Sequence, residues 1–290
     1  MAPRRVARGI ALLALIALPA TVSAQAAIAT DRPGLGFSPV TVPAGRLQVE
    51  LGVPRLDYPG SDDDPSMGVD AAVRWGLFPG IEGRLSTTWY GRTPGDGLTD
   101  GPTGMAGLRT GAKVQVIATP RVNFAVIPEV VLPVGADALA GDRVAWSVNG
   151  AAGFGIGSAT LLLVGGAQWN PVGEDEREAT GLLVTVLGHG LSSSVSAYAE
   201  AGLLPTTGPD PAYAGGGIAW LPNPRTQLDL FVDLGLNAAA SNAVFGLGIS
   251  FLLHREATPD DNALLDRPAG HLGSVRLPAG GIAQAGAVLK

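Results

Sequence analysis

The sequence predicts an all-β fold, a single antiparallel transmembrane β-barrel of about twelve strands. Three observations lead there. Polar and apolar residues alternate with period two in segment after segment, the segments are long enough to cross a bilayer when tilted, and their connections alternate long and short. After the N-terminal stretch no apolar run is long enough for a membrane helix, so strands must do the crossing.

Taken in order, residues 1–24 read as an export signal. Arg4, Arg5 and Arg8 form a basic start, Ile10 to Leu18 an apolar stretch too short to span a bilayer, and Val22-Ser23-Ala24 a small-residue cleavage site before Gln25. Residues 25–44 follow as a Pro/Gly-rich segment, "TDRPGLGFSPVTVPA" from Thr30. Pro33, Pro39 and Pro43 restrict the backbone and withhold N–H donors, so this segment cannot extend a sheet. It is expected on the periplasmic side, folding back into the barrel mouth and narrowing it.

The barrel is expected over residues 45–255, with strands beginning near Gly45, Met67, Ile81, Met105, Arg121, Arg143, Ala159, Glu178, Ser192, Ala212, Thr226 and Asn242. The clearest is "TQLDLFVDLGLN" at Thr226 to Asn237. Leu228, Leu230, Val232, Leu234 and Leu236 share one face, and Gln227, Asp229, Phe231 and Asp233 the other. The strands from Arg143, Ala159 and Ala212 are Gly-rich and weakly patterned. Between strands, long connections such as "DYPGSDDDPS" and "GRTPGDGLTDGPTG" alternate with short ones such as "FPG", "ATPR", "GS", "GHG" and "PNPR". Only the last connection, "NAAAS", is shorter than the rhythm of external loops and periplasmic turns requires. Residues 256–290 form a Pro/Gly/Ala-rich tail, in which "DRPAGHLGSVRLPAG" echoes the spacing of "DRPGLGFSPVTVPAG".

A soluble sandwich would show the same alternation. The export signal, strand length, loop rhythm and tryptophan positions favour the membrane. Trp75, Trp89, Trp169 and Trp220 fall near strand ends and Trp146 near a strand start, as aromatic girdles do, although Trp220 takes inward parity in this register. With apolar faces toward lipid, inward parity assigns Arg46, Glu50, Asp70, Arg74, Glu82, Arg84, Arg109, Lys113, Glu129, Glu200, Asp229 and Asp233 to the pore lining. All five cations lie on the first four strands, so a basic wall stands beside acidic residues and gives a transverse field that orients polar solutes. Alternatively these charges pair across strands and fill the interior.

"TDRPGLGFSPVTVPAGRLQVELG" at Thr30 to Gly52, the closing "TQLDLFVDLGLNAAASNAVFGLGISFLL" at Thr226 to Leu253, and the central "GLRTGAKVQV" and "VIPEVVLPVG" resemble the outer-membrane β-barrel porin or "transporter" family associated with meta-pathway phenol degradation. The resemblance implies an outer-membrane channel for small molecules, hydrophobic or aromatic ones included. It defines no catalytic or substrate-binding residues. Family barrels usually end on an aromatic residue that the assembly machinery reads. Here the tail displaces that signal inward, with Phe251 its best candidate.

The remaining features narrow the function by exclusion. The absence of cysteine rules out disulfides and thiolate sites, and a net charge of −6 argues against nucleic acid. Ser61 to Pro65, "SDDDP", suits hard cations but lacks a spaced ligand pattern and reads as a solvated external loop. "GFGIGS" at Gly153 to Ser158 lacks the spacing and helix of a dinucleotide loop. His189 falls in an expected periplasmic turn and His254 and His271 at the end of the last strand and in the tail, so none is placed as a base at the outer rim, and no GxSxG or HExxH occurs. The expectation is a non-enzymatic channel without cofactor or metal, located in the cell outer membrane of a Gram-negative bacterium. Its partners are outer-membrane lipid and lipopolysaccharide, with the barrel-assembly machinery during insertion. The alternative is a closed barrel acting as a structural or adhesion module through its external loops.

Overall fold

The computed structural model describes residues 28–59, 65–93, 101–172 and 176–253. The expected export signal, the acidic loop cluster except Pro65, His254, His271 and the tail with its echo lie outside the described residues. The strands are β1 Leu47–Tyr58, β2 Ser66–Phe78, β3 Ile81–Arg92, β4 Thr103–Ala118, β5 Val122–Leu132, β6 Ala145–Ile156, β7 Ala159–Val172, β8 Glu176–Gly190, β9 Val195–Leu203, β10 Ala212–Asn223, β11 Thr226–Gly235 and β12 Ala243–Leu253. One short helix, α1 Asp137–Ala140, interrupts the connection from β5 to β6.

Each strand pairs antiparallel with its sequence neighbours, and β1 closes on β12 from Leu47 opposite Leu253 to Tyr58 opposite Ala243. The twelve strands therefore form one closed barrel without a free edge, as backbone surrounded by hydrocarbon requires. No described helix is long and apolar enough to cross a membrane. The strand starts match the alternation closely, with Ile81, Ala159, Ala212 and Thr226 on the expected residue.

Three local expectations are corrected. "GHG" is not a turn: His189 pairs with Ala159 at the end of β8, and the turn falls at 191–194 before β9. "PVGEDERE", which the rhythm makes a long connection, is instead mostly strand, because the β7–β8 ladder continues to Val172 opposite Glu176. Trp220 points outward at 47% exposure while its neighbour Ala219 is 2% exposed, so it joins the other tryptophans. The Gly215–Gly217 run in β10 carries no alternation from which that parity could be read.

Leu230, Val232 and Leu234 of β11 are exposed on the outer face, and Asp229, Phe231 and Asp233 are buried on the inner one. This is the inverse of a soluble core. Trp146 and Trp169 stack on the outer surface with ring centroids 4.1 Å apart, near the long-loop end. Inside, the wall is divided. β1 to β5 and β9 to β11 contribute charged and amide groups, whereas β7 and β8 present Leu162, Val164, Val184 and Val186.

Candidate functional site

The lumen is occupied by the chain's own N-terminal segment. Ile28 donates its N–H to Pro224 O in the β10–β11 turn, and at the other end Gly45 N donates to Gly76 O, so both ends of the segment sit at the short-turn end. Between them the chain rises into the barrel and returns as a lumen loop. Ile28 and Val42 close its neck, fully buried against Leu252 and Leu221. The loop joins no ladder apart from a single bridge between Ala44 and Gly76.

A non-sheet segment at this depth must find partners for its backbone, and the lumen side chains supply them. Gln48 Nε2 and Arg74 Nη1 each donate to Ala29 O at 2.7 Å. Asp31 N donates to Glu50, and Leu35 N to both oxygens of Glu200 at 3.1 Å. Lys113 Nζ donates to Ser38 O at 2.7 Å, Arg74 Nη2 to Val40 O at 3.2 Å, and Val42 N to Glu82 at 2.6 Å. The three prolines lack the N–H donors that would otherwise add to this demand. Gly34 takes φ +85° at the tip, where a side chain would collide with the Glu200 carboxylate and the Tyr198 hydroxyl.

The loop's two charged residues face opposite walls. Asp31 accepts from Lys113 at 2.7 Å and from Arg84, and lies 3.6 Å from Arg74. Arg32 reaches the other way, to Asp229 of β11 at 3.5 Å. Burial would raise the Asp31 carboxyl, but Arg74, Lys113 and Arg84 outweigh it and hold the group well below the ordinary carboxylate range. Leu35 and Phe37 pack on the third wall, the apolar stripe of Leu162, Val164, Val184 and Val186 with Tyr198 and Phe231.

The expected pore-lining residues separate into groups. Arg74, Arg84, Arg109 and Lys113 form one ion-pair network with Glu50, Glu82, Glu129 and Asp31. Four cations meet four acids, so the network is neutral, and one of those acids belongs to the loop. Glu200, Asp229 and Asp233 lie together on β9 to β11. Glu200 and Asp233 both face Gly215 between them, and neither is in a described ion pair. Asp70 pairs with Arg55 at 3.2 Å, half-buried. Arg46 lies just before β1 at the short-turn rim, half-buried, where its N–H donates to Pro43 O and its carbonyl accepts from Gly76 N.

Above the loop, toward the long-loop end, lies a cavity of about 640 Å³. Asp31, Arg32 and Phe37 form its floor, Arg84 and Arg109 part of its wall, and Leu139 to Arg143 its cover. Arg109 also donates to Gln168 at 2.6 Å and Ser147 at 2.9 Å. The apolar stripe and Gln168 were missed by counting charges alone. The inward parity of Leu162, Val164 and Gln168 along β7 was the available signal.

The other motifs contribute no site. "GFGIGS" is the β6–β7 hairpin, with φ +60° at Gly157, and no helix follows it. His189 is buried at the end of β8. Among the described residues, no group of three or more His, Cys, Asp or Glu is arranged to hold a metal ion.

The model of the family described as "Putative MetA-pathway of phenol degradation" matches residues 30–253, the lumen loop and the barrel together. The chain belongs to this family. In fold it is similar to an outer membrane channel from Pseudomonas putida F1, with TM-score 0.58 at 14% identity over 73% of this chain and 97% of that one. It is also similar to the NanC porin, with TM-score 0.51 at 9% identity over 71% of this chain and 100% of that one. No curated protein matches it in sequence. Members of the family thus share a segment that includes the loop, and both similar structures are outer-membrane barrels.

Proposed function

We propose that this family member is an outer-membrane channel that passes small molecules, hydrophobic or aromatic ones included, by diffusion, with the lumen loop as its plug. One observation carries the reading. The lumen is filled by a segment tethered at the short-turn end and paired to wall side chains, not by the wall's own side chains meeting across it. Such an occupant can leave without opening the sheet. The outer-membrane channel and the porin that share the fold support the location and the class. The pore lining is then Glu50, Arg74, Glu82, Arg84, Arg109, Lys113, Glu129, Glu200, Asp229 and Asp233, with Asp70 at the vestibule. The short-turn end faces the periplasm, where an exported chain keeps its N-terminus, and the cavity opens toward the long external loops.

Deleting Asp31 to Val42 should raise single-channel conductance in planar bilayers and speed liposome swelling by sugars and phenolic solutes. The filled lumen equally favours a second reading, a closed barrel that acts through its loops. No ion current and no swelling, with the plug present or deleted, would decide for that one.

A further inference from the structure

The plug's chemistry is itself a description of what the lumen can bind. Three walls are matched by three features of one short peptide. Asp31 neutralises the β1 to β5 wall, whose network carries four cations, Arg74, Arg84, Arg109 and Lys113, against the three acids Glu50, Glu82 and Glu129. Arg32 neutralises Asp229 on the β9 to β11 wall, beside Glu200 and Asp233. Leu35 and Phe37 cover the apolar stripe on β7 and β8.

Withdrawal of the plug therefore uncovers one surplus positive charge, a group of carboxylates facing it, and an apolar surface between them. A simple anion would satisfy the first wall but meet the carboxylates. A simple cation would satisfy the second and be repelled by the first. A hydrocarbon would leave both charged walls unpaired at a place where unpaired charge is costly.

We propose that the plug stands in for the transported solute, and that the lumen selects small zwitterions with an apolar body, the chemical class of apolar amino acids and short apolar peptides. This rests on the channel reading and names its substrate class. The carboxylate of the solute meets Arg84 and Lys113 where Asp31 sits, the carboxylates of β9 to β11 face its ammonium group, and its side chain lies on Leu162 and Val186. Arg109, at the side of the cavity, meets the carboxylate first.

The test uses proteoliposomes of the full chain and labelled leucine, which does not cross lipid unaided. Leucine should enter about tenfold faster than serine, against the order of size that a simple aqueous pore gives. Excess phenylalanine should compete. Serine, 4-methylpentanoate and 3-methylbutylamine should not, since each lacks one of the three features. In the Asp31 to Val42 deletion, where no plug contact is at stake, Asp229→Asn and, separately, Arg84→Gln should each lower leucine uptake about tenfold, the loss of one charge-assisted hydrogen bond.

Salt current in planar bilayers from the same preparations separates the two readings. Current without a preference for leucine, or uptake indifferent to both substitutions, would overturn the substrate class and leave the channel standing. The absence of both current and uptake, in the wild type and in the Asp31 to Val42 deletion, would overturn the channel reading and the substrate class with it.

Discussion

Asp31→Asn should unseat the lumen loop while leaving the barrel intact. The carboxylate lies 2.7 Å from Lys113 Nζ and 3.6 Å from Arg74, and also pairs with Arg84, in a network that is neutral only when Asp31 is charged. At an effective dielectric of about 20, one unit charge 3.6 Å away is worth about 5 kcal/mol before desolvation. Removing one member of a buried ion pair costs about 3–5 kcal/mol net. Asparagine keeps the shape and an acceptor for Lys113, so the lower end applies, and about 3 kcal/mol shifts the ratio of seated to withdrawn loop about a hundredfold. The assay is the fraction of time single channels spend in the high-conductance state, with heat-modifiable gel mobility as proof of folding. The Asp31 carboxyl is held below its unfolded value, so its contribution is complete above about pH 4 and is lost only as the pH falls further toward its folded value. The difference between wild type and Asp31→Asn should then stay constant from pH 7 to pH 5. An open fraction within twofold of wild type, in a folded barrel, would refute the argument that Asp31 holds the loop.

Three further outcomes follow from the same geometry. Gly34→Ala places a methyl group against Glu200 and Tyr198 at a residue with φ +85°, and should raise open probability at least tenfold in the same recordings. Asp229→Lys with Asp233→Lys reverses the sign of the β9 to β11 wall and should shift ion selectivity toward anions, read as a changed reversal potential in a salt gradient. Leu230→Arg puts a charge on the outward apolar face of β11 and should lower barrel stability by about 2–4 kcal/mol in lipid, measured by urea unfolding, if that position lies near the bilayer midplane.

Most of the barrel was legible because period-two alternation is a local property. Thr226 to Gly235 alternates strictly, and its start and its inward face emerged from the sequence, while its end falls two residues before the expected Asn237. Where both faces are apolar, as in "LLLV" at Leu161 to Val164, the alternation disappears and only the parity that Leu162 and Val164 share with Gln168 marks the inward stripe. Where glycines replace side chains, as at Gly215 to Gly217, parity is lost and Trp220 is misassigned. The charged wall was visible as residues but not as a network. Three of its members, Arg74, Arg84 and Lys113, pair with Asp31 of a loop far away in sequence, and nothing in Thr30 to Ala44 except the isolated Asp31-Arg32 pair hints at partners across the barrel. The prolines excluded that segment from the sheet, while its position depended on tertiary pairing.

The loop's attachment also restricts how it can leave. At its C-terminal end it is fixed to the sheet: Gly45 N donates to Gly76 O, Gly76 N donates to Arg46 O, and Val42 and Pro43 pack so closely on Gly76 that a side chain there would not fit. At its N-terminal end Ile28 is held by one backbone bond to Pro224 and by the apolar neck with Val42, Leu221 and Leu252. The N-terminal attachment, one backbone bond and an apolar neck, is the weaker, so the loop pivots about Gly45, which already sits at φ +75° with open space around its α-carbon. Opening then starts at Ile28, on the side of the short turns. It exposes the neck before the ion pairs of Asp31, and the cavity on the opposite side gains a continuous path only when the Asp31 and Arg32 contacts have both been given up. On the channel reading proposed above, a solute arriving from the loop side would meet that last barrier first, and one able to replace both contacts would lower it.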